Sequence, residues 1–263
     1  MDLAISGRTA IVSGGDSGIG LATARLLLDE GVRVAVTDLD QERLDAVVRD
    51  LSPEVVAVAA DLTVPTDVAR LREQVLERIG APDIIVNCAG ITGAQGLFHE
   101  IDDAGWQHTV ETDLLSPVRL VRAFLPEMRE NGWGRIVLLA SEDAVQPYAD
   151  EIPYCAAKAG VLALVKGLSK TYATEGVLTN AVSPAFIETP MTDAMMDKRA
   201  QQRKTSREEA ITSFLEQERP GMEVKRRGKD VEVAAVVAFL CSERASFVNG
   251  SNYRVDAGSV QTI

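Results

Sequence analysis

Short apolar runs alternate with amphipathic stretches along most of the chain. Residues 9–13, 33–37, 55–59, 84–87, 135–139 and 178–182 read as strands, and a shorter run, 253–255, lies near the far end. Between them, residues 19–30, 41–51, 66–79, 103–130, 154–175 and 231–240 carry apolar side chains at helical spacing. The strands are continuous runs of Val, Ile and Leu rather than alternating ones, so both of their faces are expected to be covered. Strands that alternate with helices make parallel pairs, and right-handed crossovers then give a doubly wound sheet. The expected fold class is α/β: a single-domain Rossmann-type doubly wound parallel sheet flanked by helices on both faces. No internal repeat or Pro/Gly-rich linker divides the chain, so residues 1–263 are expected to form one dinucleotide-binding and catalytic domain. One stretch breaks the rhythm. Residues 185–220 are long and charged, and they follow a strand at its carboxyl end, where open α/β sheets bind ligands. A substrate lid is expected there.

The first strand runs into SGGDSGIG, residues 13–20. Alone, such a loop is a weak signal, because glycines mark any tight turn. Its setting strengthens it: a strand precedes it and a helix follows. Gly14 permits the turn, and Gly18 and Gly20 let backbone and helix approach a pyrophosphate. The N–H groups that open the helix at Ser17, Gly18 and Ile19 face the same anion. Asp38 ends the second strand, eighteen residues after Gly20. A carboxylate there accepts hydrogen bonds from both ribose hydroxyls and repels a 2′-phosphate. Asp16 adds negative charge, and residues 39–42, Leu39, Asp40, Gln41 and Glu42, supply no cation. NAD is therefore expected over NADP. The competing role for Asp38, or for Asp40, is a helix cap. Asp61 and the segment Asn87, Cys88, Ala89, Gly90 follow the third and fourth strands and reach the same carboxyl rim.

Residues 141–158 read SEDAVQPYADEIPYCAAK. Tyr154 and Lys158 are four apart and share a helix face. A free phenol has a pKa near 10, and lowering it by roughly 2–3 units takes about 3–4 kcal/mol of preferential phenolate stabilisation. A neighbouring ammonium and an oxidised nicotinamide, both positive, supply that. Tyr154 is then the expected general acid/base, and Ser141 the hydrogen-bond partner of the reacting oxygen. Pro153 favours a helix start just before the tyrosine. Tyr-x-x-x-Lys is common on plain helix surfaces. Only its spacing from Ser141, with the glycine loop and Asp38, turns it into a site.

Composition removes several classes. The net charge is -12, whereas nucleic-acid binding draws on a basic face. The basic runs at 198–204 and 225–229 read as a solvated helix face and a loop. Cys88, Cys155 and Cys241 are odd in number and far apart, which fits reduced thiols in a cytoplasmic protein better than disulfides or a metal cluster. The start, MDLAISGR, lacks signal-peptide order. The longest unbroken apolar run, residues 233–241, is too short to cross a bilayer. His99 and His108, the two histidines, have no metal spacing and read as structural or exposed. Glu142 and Asp143 follow Ser141, where they could line the pocket, but they read first as exposed loop carboxylates. Met191, Met195 and Met196 read as packing under the lid, and Trp106 and Trp133 as packing at element ends.

Taken in order, these motifs resemble the classical short-chain dehydrogenases/reductases from Gly7 to Gly258. They are the glycine loop, Asp61 with Leu62, NCAG at 87–90, Ser141, YCAAK at 154–158, SPAFIET at 183–189 and NGSNYRVDAG at 249–258. The resemblance implies that Leu39, Leu62, Pro184, Ile187 and Thr189 complete the cofactor set, and that Lys158 also binds the nicotinamide ribose. It implies a homotetramer that pairs residues 103–130 and 154–175. Ser13 stands where the family usually has threonine, and Cys88 and Ala185 replace a common asparagine and glycine. Asp113, in VETDLLSP, stands where the family usually has an asparagine that helps hold a water in a proton relay. Aspartate keeps an acceptor and loses the amide donor. The expected activity is NAD(H)-dependent interconversion of a secondary alcohol and a ketone, with a small molecule as partner and neither nucleic acid nor membrane. Two other readings share these residues: an NADP-linked 3-oxoacyl reductase, and a non-catalytic nucleotide-sensing protein on the same scaffold, which Asp113 alone encourages.

Overall fold

The structure is a computed structural model, and it describes residues 2–262. Seven strands form one parallel sheet: β1 (Thr9–Ser13), β2 (Arg33–Asp38), β3 (Val56–Ala59), β4 (Ile84–Asn87), β5 (Gly134–Leu139), β6 (Val177–Pro184) and β9 (Asn252–Val255). Their order is β3-β2-β1-β4-β5-β6-β9, so the chain reverses direction across the sheet between β1 and β4. That reversal opens a crevice at the carboxyl ends of those strands.

Alternate strand residues feed two apolar layers, which is why the runs are apolar without a break. Ala10, Val12, Val34, Val36, Ile84 and Val86 point into one layer. Helices α1 (Gly18–Asp29), α2 (Gln41–Leu51) and α9 (Asp230–Leu240) close it with Leu27, Leu44 and Val237. Ile11, Ala35, Ile85, Ile136 and Leu138 point into the other. Helices α3 (Pro65–Ile79), α5 (Ser116–Glu130) and α6 (Ile152–Tyr172) close that one with Leu71, Phe124 and Val161. The segment Ile152–Glu175 is long and apolar enough to cross a membrane by length and composition. Val161 and Val165 are buried against the sheet, so here that apolar face is core.

Two features depart from the sequence expectation. Residues 103–130 are not one α-helix. They form α4 (Asp103–Val110), a π-helical turn (Glu111–Leu115) and then α5. The cause is local: Pro117 has no N–H to give the Asp113 carbonyl, and both the backbone N–H and the hydroxyl of Ser116 go to the Glu111 carbonyl. The second feature is the segment 185–220. It folds as α7 (Pro190–Arg203) and α8 (Arg207–Gln217) around Phe186, Met196, Phe214, Leu215 and Met222. A short parallel pair, β7 (Ile187–Glu188) with β8 (Gly228–Lys229), anchors its base. Two residues per strand are too few to show as a period in sequence.

Candidate active site

A crevice of about 630 Å³ runs along the carboxyl edge of the sheet. Its first half is built of backbone. Gly14 has φ +67°, and a Cβ there would lie 2.8 Å from the Ala89 nitrogen. A Cβ on Gly20 would lie 2.0 Å from the Gly14 carbonyl oxygen, so the loop closes on the helix only with glycine at both positions. The free N–H groups of α1 open into this cradle, a fit for a dinucleotide pyrophosphate. Asp40, not Asp38, caps α2, accepting from the Glu42 and Arg43 amides at 2.9 and 3.2 Å. Asp38 is left at the crevice wall, where burial and the neighbouring Asp16 raise its carboxyl above the usual range.

Gly14, Asp16, Ser17, Gly18, Ile19, Gly20, Asp38, Leu39, Asp61, Leu62, Ala89, Gly90, Pro184, Ile187 and Thr189 all line the crevice. Asn87 does not. It is buried behind the wall, where its Oδ1 accepts from the Ser13 hydroxyl at 2.9 Å and its Nδ2 donates to the Ala89 carbonyl. These bonds hold the ends of β1 and β4 together. The expectation that no cation lies near Asp38 also fails. Arg43, one residue beyond the acidic stretch, lines the crevice and sets its guanidinium 2.9 Å from Asp16. A helix brings back to the loop what the linear stretch 39–42 does not contain.

The second half holds the titratable groups. Ser141, Tyr154, Lys158 and Asp113 all line the same crevice. Pro153 occupies the first turn of α6, so Tyr154 and Lys158 fall on the turns nearest the sheet edge. The Lys158 amine lies 5.4 Å from the centre of the Tyr154 ring and donates to the Leu139 carbonyl at 3.2 Å. It also lies 3.3 Å from Asp113 Oδ1, which accepts from the Ile91 amide. Gly90 makes room for this pair: a Cβ there would stand 2.7 Å from that same oxygen. Asp113 Oδ2 is buried without a partner. Burial raises the Asp113 carboxyl, with Lys158 pulling the other way.

Burial also raises the Tyr154 phenol well above its ordinary value, and the charges of Asp143 and Asp113 add to the rise. The chain by itself therefore holds this phenol protonated. The sequence-based picture lowers the phenol with the lysine and an oxidised nicotinamide together, and burial with the charges of these two carboxyls works against that lowering. Glu142 and Asp143 are the second correction. They are 2% and 4% exposed, not surface carboxylates. Glu142 Oε1 accepts from Arg219 Nε at 2.9 Å, and Asp143 Oδ1 accepts from the Ser141 hydroxyl at 3.2 Å. Burial and the nearby Glu151 push Asp143 up to about 8. Arg219 comes from beyond α8, and nothing in its local sequence marks it as a site residue. His108 is exposed but reaches the crevice edge, as does Met191 in the first turn of α7. Among the described residues no group of acids, histidines or cysteines could hold a metal, and the three thiols are free.

Comparison with known proteins agrees with this geometry. A family model described as enoyl-(acyl carrier protein) reductase matches residues 14–260. The chain is 34% identical over 254 residues to the 3-oxoacyl-(acyl-carrier-protein) reductase of Vibrio cholerae, covering 97% of the chain and 98% of the relative. It is 34% identical over 260 residues to the cis-4-hydroxycyclohexanecarboxylate dehydrogenase of Sinomonas cyclohexanicum, covering 98% of each. Among solved structures, L-sorbose reductase from Gluconobacter frateurii, complexed with NADPH and L-sorbose, superposes with a TM-score of 0.94 at 32% identity over 100% of both chains.

Proposed function

This chain belongs to the classical short-chain dehydrogenase/reductase family and is an oxidoreductase of alcohols and ketones with a nicotinamide dinucleotide cofactor, and from that premise we propose that it uses NAD(H), with Tyr154 as general acid/base. Asp38 carries the cofactor choice. Its carboxylate ends β2 beside Asp16, and two acids at that wall favour ribose hydroxyls over a 2′-phosphate. The cofactor supplies the hydride and, when oxidised, one positive charge.

The residues do the rest. Ser141 and Tyr154 hold the reacting oxygen from one side of the crevice. In the reducing direction the protonated phenol gives its proton to that oxygen, and burial keeps it loaded. In the oxidising direction Tyr154 accepts the alcohol proton, which requires the positive charge of Lys158 and of the oxidised ring to overcome the two acids. Lys158, fixed by Leu139 and Asp113, would also bond the nicotinamide ribose. The segment 185–220 acts as the substrate lid. We read the protein as a cytoplasmic homotetramer that pairs the outer faces of α5 and α6; the free thiols support a reducing compartment.

A second reading, an NADP-linked 3-oxoacyl reductase, is favoured by Arg43, which could turn from Asp16 to a 2′-phosphate. The test is a panel of ketones with NADH and NADPH, repeated with Tyr154→Phe. Turnover with NADH that falls ~10²-fold or more in the variant, with thermal stability kept, supports the first reading. A preference for NADPH overturns the cofactor assignment. Wild-type rates in the variant overturn the role of Tyr154.

A further inference from the structure

Ser141 and Tyr154 also line a side chamber of about 90 Å³, and Arg219 lines it with them. The Arg219 side chain is only 10% exposed, and its guanidinium is fully engaged by protein. Nε donates to Glu142 Oε1 at 2.9 Å, and Nη2 lies 3.8 Å from Glu151 Oε2. The guanidinium carbon stands 3.5 Å from the centre of the Tyr148 ring and 5.0 Å from that of Phe214. A planar fork can hold two carboxylates and a ring face at once, which a single ammonium cannot. Its partners share one loop. Glu142 follows Ser141 directly, and Tyr148 lies midway. Glu151 is the residue before α6, and its carbonyl accepts from the Cys155 amide at 2.9 Å, in the turn that carries Tyr154. Arg219 thus holds the start, the middle and the end of the loop that joins the two reacting side chains. It is anchored from the other side by the segment 185–220. Its amide donates to the Phe214 carbonyl at 3.1 Å, and the Phe214 ring packs 4.7 Å from that of Phe186, next to Ile187 at the crevice.

From this arrangement we infer that Arg219 is a positioning residue for the reaction. By clamping Glu142, Tyr148 and Glu151 it sets Ser141 and Tyr154 in register with each other, and it makes that register depend on the docking of the segment 185–220. The inference deepens the oxidoreductase reading and rests on it, since there the two side chains meet the reacting oxygen together. Two plainer roles match the contacts less well. A tether for α8 needs one acid, not two acids and a ring spread over both ends of one loop. A substrate anion would have to displace Glu142 and Glu151 from a guanidinium that both already hold. Displacing a reacting group by about 1 Å can cost ~10²-fold in rate, so a clamp at this distance from the chemistry has a measurable effect on turnover.

The test uses Arg219→Met, which keeps an apolar stem and removes the fork, and Arg219→Lys, which keeps the charge. Amide hydrogen exchange, read by mass spectrometry, follows residues 142–152, with β1 and α1 as the internal reference. Fluorescence titration gives the affinity for NADH and NADPH. Stopped flow gives the single-turnover rate of hydride transfer with whichever of cyclohexanone, ethyl acetoacetate and diacetyl the wild type reduces fastest. In Arg219→Met, exchange over 142–152 is expected to quicken about tenfold or more while the reference holds. Hydride transfer is expected to fall about tenfold or more, with cofactor affinity within about twofold of wild type. Arg219→Lys is expected to fall between, because an ammonium pairs with one acid at a time. Should Arg219→Met lose its melting transition, Glu151→Gln removes one arm of the clamp and carries the same expectations at smaller size. Unchanged exchange over 142–152 overturns the inference, and so does faster exchange with wild-type hydride transfer. Cofactor affinity lost in step with rate also overturns it, because the damage is then general. A raised ketone KM with an unchanged rate at saturation overturns it too and makes Arg219 a substrate contact. A wild type that reduces none of the three ketones overturns the oxidoreductase reading, and the exchange rates then decide the clamp by themselves.

Discussion

The two halves of the crevice are made from different materials. The cofactor half is backbone: glycines, helix N–H groups and strand ends, with Asp38 as its main side chain. The other half is side chains, Ser141, Tyr154, Lys158 and Asp113, with the buried carboxyls of Glu142 and Asp143 beside them. A backbone cradle fails all at once, because a single Cβ collides with main chain that cannot move. A side-chain wall fails by degrees, through charge and protonation. The contrast predicts sharp steric effects on one side and graded, pH-dependent effects on the other.

The largest effect belongs to Gly20→Ala. Its Cβ would sit 2.0 Å from the Gly14 oxygen. We expect about 3 kcal/mol or more of lost stability in urea denaturation and no measurable dinucleotide binding. Wild-type binding in this variant would erase the contrast. Asp143→Asn comes next and acts through pH. An acid whose folded pKa is raised has its full stability below the unfolded value, 3.8, and loses it as pH rises toward the folded value, about 8. The amide removes that loss. The variant should therefore melt higher than the wild type at pH 8 by several degrees and match it near pH 4. A difference that does not change with pH would show that Asp143 is not held protonated.

The cofactor half has one graded feature, and it lies at its rim. Asp38→Asn should move the NADH-to-NADPH preference about tenfold toward NADPH, an amount worth about 1.4 kcal/mol. No movement would assign cofactor choice to Arg43 and Asp16 instead. The smallest effect is Asp113→Asn. The charge of Asp113 raises the Tyr154 phenol, so its removal should shift the alkaline limb of ketone reduction to lower pH. A shift to higher pH would mean that Asp113 acts chiefly by fixing Lys158.

The same contrast explains what could be read from the chain. The strands were legible because both faces of the sheet are apolar, and their ends fell within about two residues of the runs that name them. The cradle was legible because its glycines stand close together in one loop, although only Gly20 answers to local chain, the Gly14 oxygen, while Gly14 and Gly18 make room for Ala89 and Thr189 from far along the sequence. Asn87 was legible as part of a motif but not in its role, since its partner Ser13 lies 74 residues away. Glu142 and Asp143 looked like loop acids because what covers them comes from elsewhere. Arg219 reaches Glu142 across 77 residues, and α8 carries it there. Burial of a charge is a property of the partner as much as of the segment.

The wide turn at Glu111–Leu115 has one more consequence. A π turn holds one residue more than an α turn, so everything after it is rotated by about 100° from where an unbroken helix would put it. Asp113 sits inside that turn, opposite the amine it pairs with. Its placement is therefore a matter of counting. Removing any single residue from that stretch would let the coil rewind and carry the carboxylate off its mark, whatever the remaining letters were. A change of length in this turn thus reaches the pair by a route that no substitution at Asp113 or Lys158 takes.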